Sequence, residues 1–415
     1  MSRLIEQGKK AKEVARTIGQ LSSQDKNRGL TSAADNLIAR MDEIVEANKK
    51  DVSSAIDQGI TGALVDRLTL DKNRIEVMVE GIRQIVKLDD PVGEVSEMKK
   101  RPNGLVIGQK RVPLGVVGII YEARPNVTAD AFALCLKSGN ATILRGGKEA
   151  IGSNMKIVEI IGEGLESAGI PKEAIQLVED TSREISVEMM KMNDYLDVLI
   201  PRGGKGLIRS VIENSTVPVI ETGEGNCHVY IDQSADMEKA IAIVINAKTH
   251  RPGVCNAMET LIIHKDMAQD VLPELVKKLQ SLRVEVRGDE KVKQITPNIT
   301  LAVEEDWATE YQDYILAIKI VEDFEEATDH IATYGTGHSE AIVTESYTRA
   351  QKFLDVVDAA AVYVNASTRF TDGSEFGFGA EIGISTQKLH ARGPMGLREL
   401  TTSKYIIYGD GQIRQ

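Results

Sequence analysis

The N-terminal part of the chain, to about residue 88, alternates apolar and polar positions with the period of an amphipathic helix. Apolar residues recur three and four positions apart, which places them on one helix face. The run Asp25-Lys-Asn-Arg-Gly29 predicts a break between the first helix and the second, and Asp89-Asp-Pro91 ends the last stripe. This part of the chain is therefore predicted to be helical.

Short β-type runs alternate with helical ones between about residues 104 and 231, which is typical of a parallel sheet built from βαβ units. The strands predicted there are 116–120, 141–144, 175–178, 198–200, 217–220 and 229–231. A second series has predicted strands at 260–263, 315–320, 340–343 and 361–364. Two further extended runs, 104–108 and 404–408, lie outside both series, and such strands commonly pair with another subunit. The pattern predicts an α/β protein.

Composition and charge narrow the classes of function. The 415 residues are 42% hydrophobic and 27% charged, which fits a globular chain of two or three domains. The net charge of −12 argues against a nucleic-acid partner, and an anionic ligand would need local clusters of cations and backbone amides. The apolar runs are shorter than the roughly 18 residues that span a bilayer, and the N-terminus lacks the apolar core of a signal peptide. We therefore expect a cytoplasmic protein with no membrane segment.

Three widely spaced cysteines, Cys135, Cys227 and Cys255, fit neither a disulfide framework nor a set of metal ligands. Cys135 lies in an apolar helical stretch and Cys227 begins a strand, as expected of buried thiols. Cys255 lies in the polar, turn-forming run His250-Arg-Pro-Gly-Val-Cys-Asn-Ala-Met-Glu259, between a predicted helix and a predicted strand. A thiol there becomes a nucleophile when a helix N-terminus or a cation such as Arg251 favours the thiolate. A small buried thiol is the alternative.

Two basic turns that contain glycine directly follow predicted strands. They are Arg145-Gly-Gly-Lys148 and Pro201-Arg-Gly-Gly-Lys-Gly-Leu207. Nucleotides bind at the carboxyl ends of strands in open α/β sheets, where glycines let backbone amides approach a pyrophosphate. Two cations suit a ribose 2′-phosphate and so favour NADPH over NADH. A solvated basic turn and a helix-capping turn are the alternatives.

Two later runs carry candidate polar groups. The turn Tyr334-Gly-Thr-Gly-His-Ser-Glu340 can present His338 to a site, and Arg392-Gly-Pro-Met-Gly-Leu-Arg398 supplies cations for a carboxylate or a phosphate. A structural histidine and surface arginines are the respective alternatives.

Taken in order, these motifs resemble the aldehyde dehydrogenase superfamily over nearly the whole chain. The most specific segments are Arg111-Val-Pro-Leu-Gly-Val-Val-Gly-Ile-Ile-Tyr-Glu-Ala-Arg-Pro-Asn126, the Cys255 turn, and Phe324-Glu-Glu-Ala-Thr-Asp-His-Ile-Ala-Thr-Tyr-Gly-Thr-Gly-His-Ser-Glu340. The resemblance implies two Rossmann-like α/β domains and a small β element for oligomerisation, in a homo-oligomer that is a dimer or a tetramer. The implied segments are 1–103 and 119–228 for NADPH binding, 229–391 for catalysis, and 104–118 and 392–415 for oligomerisation.

The resemblance also implies roles for single residues. In the superfamily the nucleophilic thiol falls at Cys255 and the amide of the oxyanion hole at Asn126. Its nucleotide-ribose cation matches Arg145, its phosphate loop matches residues 202–206, and its nicotinamide-ribose carboxylate matches Glu310. With the local motifs, the predicted cofactor-binding residues are Arg145, Lys148, Arg202, Gly203, Gly204 and Glu310. The candidates for binding the substrate are Arg124, His338, Arg392 and Arg398.

The activity implied by the resemblance is NADPH-dependent reduction of L-glutamyl 5-phosphate to L-glutamate 5-semialdehyde, through a thioester on Cys255 and with release of phosphate. This is the second step of proline biosynthesis from glutamate, so glutamate 5-kinase is a candidate partner. Hydrolytic aldehyde dehydrogenases carry a general base in a Glu-Leu-Gly-Gly-Lys pattern, and the matching stretch here is Glu221-Thr-Gly-Glu-Gly225. A hydrolytic enzyme with Glu221 as base is therefore the alternative. More distant alternatives are a hydrolase that pairs Cys255 with His250 or His338, and an α/β binding protein without catalytic activity.

Overall fold

A computed structural model describes residues 3–414, which form two compact units. The first unit runs to Thr222 and also contains Gly377–Gly383 and the chain from Met395 onwards; the second contains Gly223–Phe376 and Ile384–Pro394. The functions predicted for the separate segments of the chain stay predictions.

The first unit begins with five helices and continues as an α/β structure. Its helices are α1 (Arg3–Ile18), α2 (Ser23–Ala39), α3 (Met41–Asp57), α4 (Ala63–Leu68), α5 (Lys72–Lys87), α6 (Asn126–Lys137), α7 (Ile151–Ser167), α8 (Arg183–Met189) and α9 (Lys205–Asn214). Its strands are β1 (Val95–Lys100), β2 (Val106–Pro113), β3 (Val116–Tyr121), β4 (Ala141–Arg145), β5 (Ile175–Leu177), β6 (Val198–Arg202) and, at the end of the chain, β16 (Thr401–Tyr408).

The predicted break at residues 25–29 is wrong, because α2 begins before that run. Ser22 caps the helix: its side chain accepts a hydrogen bond from the Asp25 backbone N–H, and the Asp25 side chain accepts one from the Ser22 backbone N–H. This reciprocal capping box satisfies two N–H groups that a helix start leaves without intrahelical partners. The first break therefore lies between Ile18 and Ser23, and a second break occurs at Arg40, inside a stretch that reads as one apolar stripe.

Two separate sheets form in the first unit. Strands β3 to β6 make a parallel sheet in the order β5-β4-β3-β6, and every residue of β3 is buried, as expected of a strand covered on both faces. The predicted strand 217–220 contributes an isolated parallel bridge from Val219 to Leu199. Strands β1, β2 and β16 form an antiparallel sheet, so the extended runs near residues 104–108 and 404–408 do lie outside both parallel series, and they pair with each other.

The second unit is built on one parallel sheet of seven strands, in the order β10-β9-β11-β8-β7-β12-β13. Its strands are β7 (Cys227–Ile231), β8 (Met258–His264), β9 (Glu285–Gly288), β10 (Thr300–Leu301), β11 (Ile315–Val321), β12 (Ser339–Val343), β13 (Ala361–Val364) and the short pair β14 (Ile384–Ser385) and β15 (Gly393–Pro394). Its helices are α10 (Met237–Thr249), α11 (Lys265–Ser281), α12 (Glu290–Ile295), α13 (Phe324–Tyr334) and α14 (Tyr347–Val356). The run 229–231, predicted in the first series, belongs to this second sheet, where β7 pairs with β8 and β12.

Alternate residues of the central strands enter two different cores. Val229, Ile231, Leu261 and Ile263 pack with residues of α10, α11 and α12 in one core, whereas Tyr230 and Ile262 pack with residues of α13 and α14 in the other. This alternation is the two-residue period of a strand, and it puts helices on both faces of the sheet. The predicted α/β class is confirmed. No helix among residues 3–414 combines the length and the apolar character needed to cross a bilayer.

Candidate active site

Cys255 differs from the other two cysteines in its surroundings. It lies half-buried in the turn between the end of α10 and the start of β8, as the sequence predicted. Cys135 and Cys227 are fully buried. Burial raises the pKa of the Cys135 thiol to about 12 and the pKa of the Cys227 thiol well above its usual value, so both stay protonated at neutral pH.

The backbone of Cys255 is held at its carbonyl group. The Cys227 thiol donates to the Cys255 carbonyl oxygen over 3.2 Å. Gly225 packs against the same group, since a Cβ atom built on Gly225 would lie 1.4 Å from that oxygen. Only glycine can lie this close to the Cys255 carbonyl group. Sequence reasoning missed this requirement, although Gly225 ends the segment 221–225 that was compared with the general-base motif.

The neighbour of Cys255 in the chain anchors the turn to the segment that follows β13. The Asn256 amide donates to the carbonyl oxygen atoms of Thr371 (2.9 Å) and Arg369 (3.3 Å). In return, the Thr368 hydroxyl donates to the Asn256 carbonyl oxygen over 2.7 Å. Asn256 is buried, so these bonds give the turn a second anchor in addition to its contact with Gly225.

Glu310 lies next to the same turn. Its Oε1 accepts a hydrogen bond from the Gly225 backbone N–H at 3.1 Å, which connects the predicted ribose carboxylate to the glycine that packs on Cys255. The Glu310 loop is fixed in turn by Glu259, whose Oε1 accepts from the Gln312 backbone N–H at 3.2 Å. The other oxygen of Glu259 forms an ion pair with Lys248 at 2.5 Å, and both side chains are fully buried.

Burial governs the charges of this pair. It raises the pKa of Glu259 to about 7 and lowers the pKa of Lys248, because removal from water penalises either charged form. The attraction between the two groups opposes both shifts. Glu259 lies four positions after Cys255 in the same motif, and sequence reasoning did not select it. The signal for it was a charged residue inside an otherwise apolar strand.

His338 lies buried directly before β12 and not on an exposed loop. Its ring is fully buried, its Nδ1 lies 2.8 Å from the Ser339 hydroxyl, and the same nitrogen lies 3.8 Å from the Cys227 sulfur. His250, at the end of α10, is exposed. The geometry thus brings His338 to the buried cysteine that supports Cys255.

The first unit holds the predicted nucleotide-binding residues other than Glu310, at or just after the carboxyl ends of its parallel strands. Arg145 ends β4, and its guanidinium donates to the carbonyl oxygen atoms of Thr181 (2.5 Å) and Ser182 (3.2 Å). Lys148 is exposed in the short 3-10 helix that follows. Burial lowers the pKa of Arg145, and the nearby carboxylate of Glu149 partly offsets that effect.

A carboxylate accepts a hydrogen bond from a backbone N–H at the start of α9, where the phosphate loop was predicted. Glu122 Oε2 accepts a hydrogen bond from the Gly204 backbone N–H at 2.9 Å, and a Cβ atom on Gly203 would lie 2.6 Å from the same oxygen. Both glycines are exposed. This end of the helix therefore already binds an oxyanion, and with Arg202 beside it the residues present fit a phosphate group of a dinucleotide. Sequence reasoning missed Glu122.

Asn126 begins α6, directly after the segment that carries Arg124. Its amide donates to Asp130 Oδ2 at 3.0 Å. Burial raises the pKa of Asp130 to about 6, although the hydrogen bond from Asn126 and the charge of Arg202 act to lower it. Asp130 was also missed; its signal was a lone carboxylate within the apolar face of a helix.

The remaining candidates lie in less enclosed places. Arg392, in the second unit, pairs with Asp358 at 2.7 Å, and Arg398, in the first, pairs with Glu94 at 2.8 Å. Arg124 and Glu221 are both half-buried in irregular segments of the first unit. Within the second unit, the contacts therefore connect Cys255, Glu310 and His338 through Gly225 and Cys227.

Comparisons with known proteins agree with the resemblance. The model of the aldehyde dehydrogenase family matches residues 3–315. A γ-glutamyl phosphate reductase from Clostridium perfringens strain SM101 is 62% identical over 411 residues, which is 99% of each chain, and the one from Caldicellulosiruptor bescii is 60% identical over the full length of both. The crystal structure of γ-glutamyl phosphate reductase from Thermotoga maritima is 50% identical, covers 100% of both chains and superposes with a TM-score of 0.98. The chain therefore belongs to the aldehyde dehydrogenase family, among relatives that carry the name γ-glutamyl phosphate reductase.

Proposed function

We propose that this chain reduces L-glutamyl 5-phosphate to L-glutamate 5-semialdehyde with NADPH, releases inorganic phosphate, and so performs the second step of proline biosynthesis from glutamate. The observation that carries the proposal is Cys255: it is the half-buried thiol of the three, on a turn fixed by Gly225 and Asn256. The names of relatives that match 99–100% of the chain supply the substrate. Those names do not favour the hydrolytic alternative with Glu221 as base.

Cys255 acts as the nucleophile in this proposal. Its thiolate attacks the acyl carbon, the bond from that carbon to the phosphate oxygen breaks, and a thioester remains on the enzyme. A nicotinamide cofactor, when bound, supplies the hydride that reduces the thioester. Loss of the thiolate from the resulting thiohemiacetal releases the aldehyde and regenerates Cys255. The Asn126 amide stabilises the oxyanion of both tetrahedral intermediates, a contribution of about 3 kcal/mol for one donor.

Members of the aldehyde dehydrogenase family use nicotinamide cofactors, and we propose NADPH for this chain. Arg145 and the exposed Lys148 would hold the 2′-phosphate, whereas Arg202, Gly203 and Gly204 would hold the pyrophosphate in the place that Glu122 occupies. Glu310 would hold the nicotinamide ribose. For the substrate, Arg124, His338, Arg392 and Arg398 stay candidate ligands.

The assembly and the compartment are proposals as well. The antiparallel sheet of β1, β2 and β16 exposes Val95, Met98, Tyr405 and Ile407, and apolar side chains on an exposed sheet suit contact with another copy of the chain. We therefore propose that the chain forms a dimer or a tetramer. We also propose that it acts in the cytoplasm. Glutamate 5-kinase is the proposed source of the labile acyl phosphate.

Phosphate dependence tests the proposed reaction. In the reverse direction, L-glutamate 5-semialdehyde and NADP⁺ should give NADPH only when inorganic phosphate is added, because phosphate must cleave the thioester. The measurement is absorbance at the NADPH band with phosphate varied in a phosphate-free buffer. A rate that does not change on addition of phosphate would support hydrolysis and reject the proposal.

Gly225→Ala should reduce kcat by about a hundredfold, since a displacement of about 1 Å at the reacting group has an effect of that size. The added methyl group would have to displace the Cys255 carbonyl, which lies 1.4 Å from its position. Gly253→Ala is the matched control in the same turn, because its Cβ would meet only the Gln312 carbonyl oxygen at 3.6 Å, an ordinary contact. Equal kcat values for the two variants would show that the close approach of Gly225 is unimportant for turnover.

A further inference from the structure

Arg369 lies on the segment that is anchored to the nucleophile turn. It belongs to the 3-10 helix Thr368–Phe370, which Ser367 caps. The hydrogen bonds of Asn256 to this segment attach Arg369 directly to the residue after Cys255. The side chain of Arg369 is half-buried, and its Nε is buried without a hydrogen-bond partner among residues 3–414. A buried guanidinium N–H without a partner in a native fold calls for an acceptor that the protein itself does not provide.

Arg369 lies within electrostatic range of both Arg251 and the Cys255 thiol. Burial, followed by repulsion from Arg251, lowers the pKa of Arg369, whereas the negative charges of Cys255 and Asp372 raise it. Among the charged groups that act on Arg369, Arg251 has the largest effect, so a second cation lies within its electrostatic range. Arg251 is exposed. Arg369 and Arg251 together therefore favour an added anion near Cys255.

We propose that Arg369, with Arg251 as a second cation, binds the phosphoryl group of the acyl phosphate beside Cys255. The inference rests on the proposed function, which supplies an acyl phosphate as substrate. The phosphate is bonded directly to the carbonyl carbon that Cys255 attacks, whereas three carbon atoms separate that carbon from the substrate carboxylate. The anion closest to the reacting sulfur is thus the phosphate, and a planar guanidinium can donate to two of its oxygen atoms.

Arg369 and Arg251 would act at the step in which the sulfur–carbon bond forms. As that bond forms, the carbon–oxygen bond to phosphate breaks and its electron pair leaves with the phosphate oxygen. Negative charge grows on the phosphate in this step, and the two cations stabilise it without moving a proton. In the reverse direction, the same cations would bind inorganic phosphate for attack on the thioester.

The kinetic test measures the KM for inorganic phosphate in the reverse reaction. Arg369→Met should raise that KM by about tenfold to a hundredfold, the effect of losing a charged hydrogen-bond donor. The KM for the semialdehyde should stay within about threefold of the wild-type value, since the proposal assigns its carboxylate to other groups. Arg369→Lys, which keeps the charge without the planar donor pair, should give an intermediate KM. Arg283→Met, at an exposed arginine, is the control for loss of a positive charge.

Two kinetic outcomes would overturn the proposal. One is an unchanged KM for phosphate in Arg369→Met while the wild-type enzyme keeps its phosphate dependence. The other is a rise confined to the KM for the semialdehyde, which would assign Arg369 to the carboxylate. A wild-type enzyme without phosphate dependence would instead reject the proposed function.

An alkylation experiment tests the anion site without any turnover. The rate ratio of iodoacetate to iodoacetamide at Cys255 reports the local positive charge, because only the first reagent is an anion. This ratio should fall in Arg369→Met, and inorganic phosphate should slow alkylation of the wild-type thiol but not of the variant. Mass spectrometry identifies the labelled cysteine, and circular dichroism confirms that the variant is folded. Equal phosphate protection in both proteins would remove Arg369 from the site.

Discussion

Cys255→Ser is expected to reduce NADPH-dependent turnover by at least about a thousandfold, the scale seen when a covalent nucleophile is removed. The hydroxyl of serine is a much weaker acid than a thiol, so almost none of it is ionised to the nucleophilic form at neutral pH. The residues predicted to bind NADPH, such as Arg145 and Arg202, are untouched by the substitution. The nucleotide should therefore bind with a Kd within about threefold of the wild-type value, measured by NADPH fluorescence.

Cys135→Ala is the matched control for the loss of a thiol. Cys135 is fully buried in α6 and its pKa is raised to about 12, so turnover per folded molecule should not change although stability should fall. Cys227→Ala is not a control, because the Cys227 thiol supports the Cys255 carbonyl. Near-normal turnover in Cys255→Ser would reject covalent catalysis by this residue.

The strands and the nucleophile turn could be predicted because their signals are local. The runs 116–120 and 141–144 are apolar and short, and both form strands of the first parallel sheet. The turn around Cys255 contains its own proline and glycine. The short strands β9 and β10 and the exposed strand β1 carry too few apolar residues in sequence to give a pattern, so they were missed.

The supporting contacts of the site could not be predicted because they join distant parts of the chain. Glu122 meets Gly204 across 82 positions, and Asn256 meets Thr371 across 115. No periodic pattern encodes such pairs, since each depends on how the strands are ordered in the sheets. The predicted break at residues 25–29 was wrong for a local reason. Polar residues there form the start of a helix, and composition alone does not distinguish a helix cap from a loop.

Disrupting the ion pair of Lys248 and Glu259 is expected to reduce the free energy of unfolding by about 3–5 kcal/mol, the usual effect of leaving one buried charge without its partner. Lys248→Met and Glu259→Gln should each show this loss in urea titrations at neutral pH. The double variant Lys248→Met with Glu259→Gln should recover much of this loss. It contains no buried charge at this pair, and the side-chain amide introduced at position 259 can still accept a hydrogen bond from the Gln312 N–H.

An exposed ion pair provides the matched control. Lys239 pairs with Glu345 on the surface, and Lys239 lies in the same helix α10 as Lys248. Lys239→Met should therefore change the free energy of unfolding far less than either variant of the buried pair.

The pH dependence of the two single variants should have opposite signs. In Lys248→Met, the buried Glu259 has a folded-state pKa above its value in the unfolded chain. The free energy of unfolding of this variant should therefore be highest at low pH, where Glu259 is protonated, and should fall as the pH rises through about 7 and beyond. In Glu259→Gln, burial holds the pKa of Lys248 below its unfolded value, so the variant gains stability as the pH rises towards that unfolded value. Urea midpoints measured at pH 6 and pH 8, about one pH unit on either side of the Glu259 pKa, separate the two cases. If the urea midpoint changes with pH in the same direction in both variants, Lys248 and Glu259 are not the charged groups that set this pH dependence. Because Glu259 also holds the Gln312 amide of the Glu310 loop, a loss of NADPH affinity in Lys248→Met that follows the same pH trend would connect this buried pair to cofactor binding.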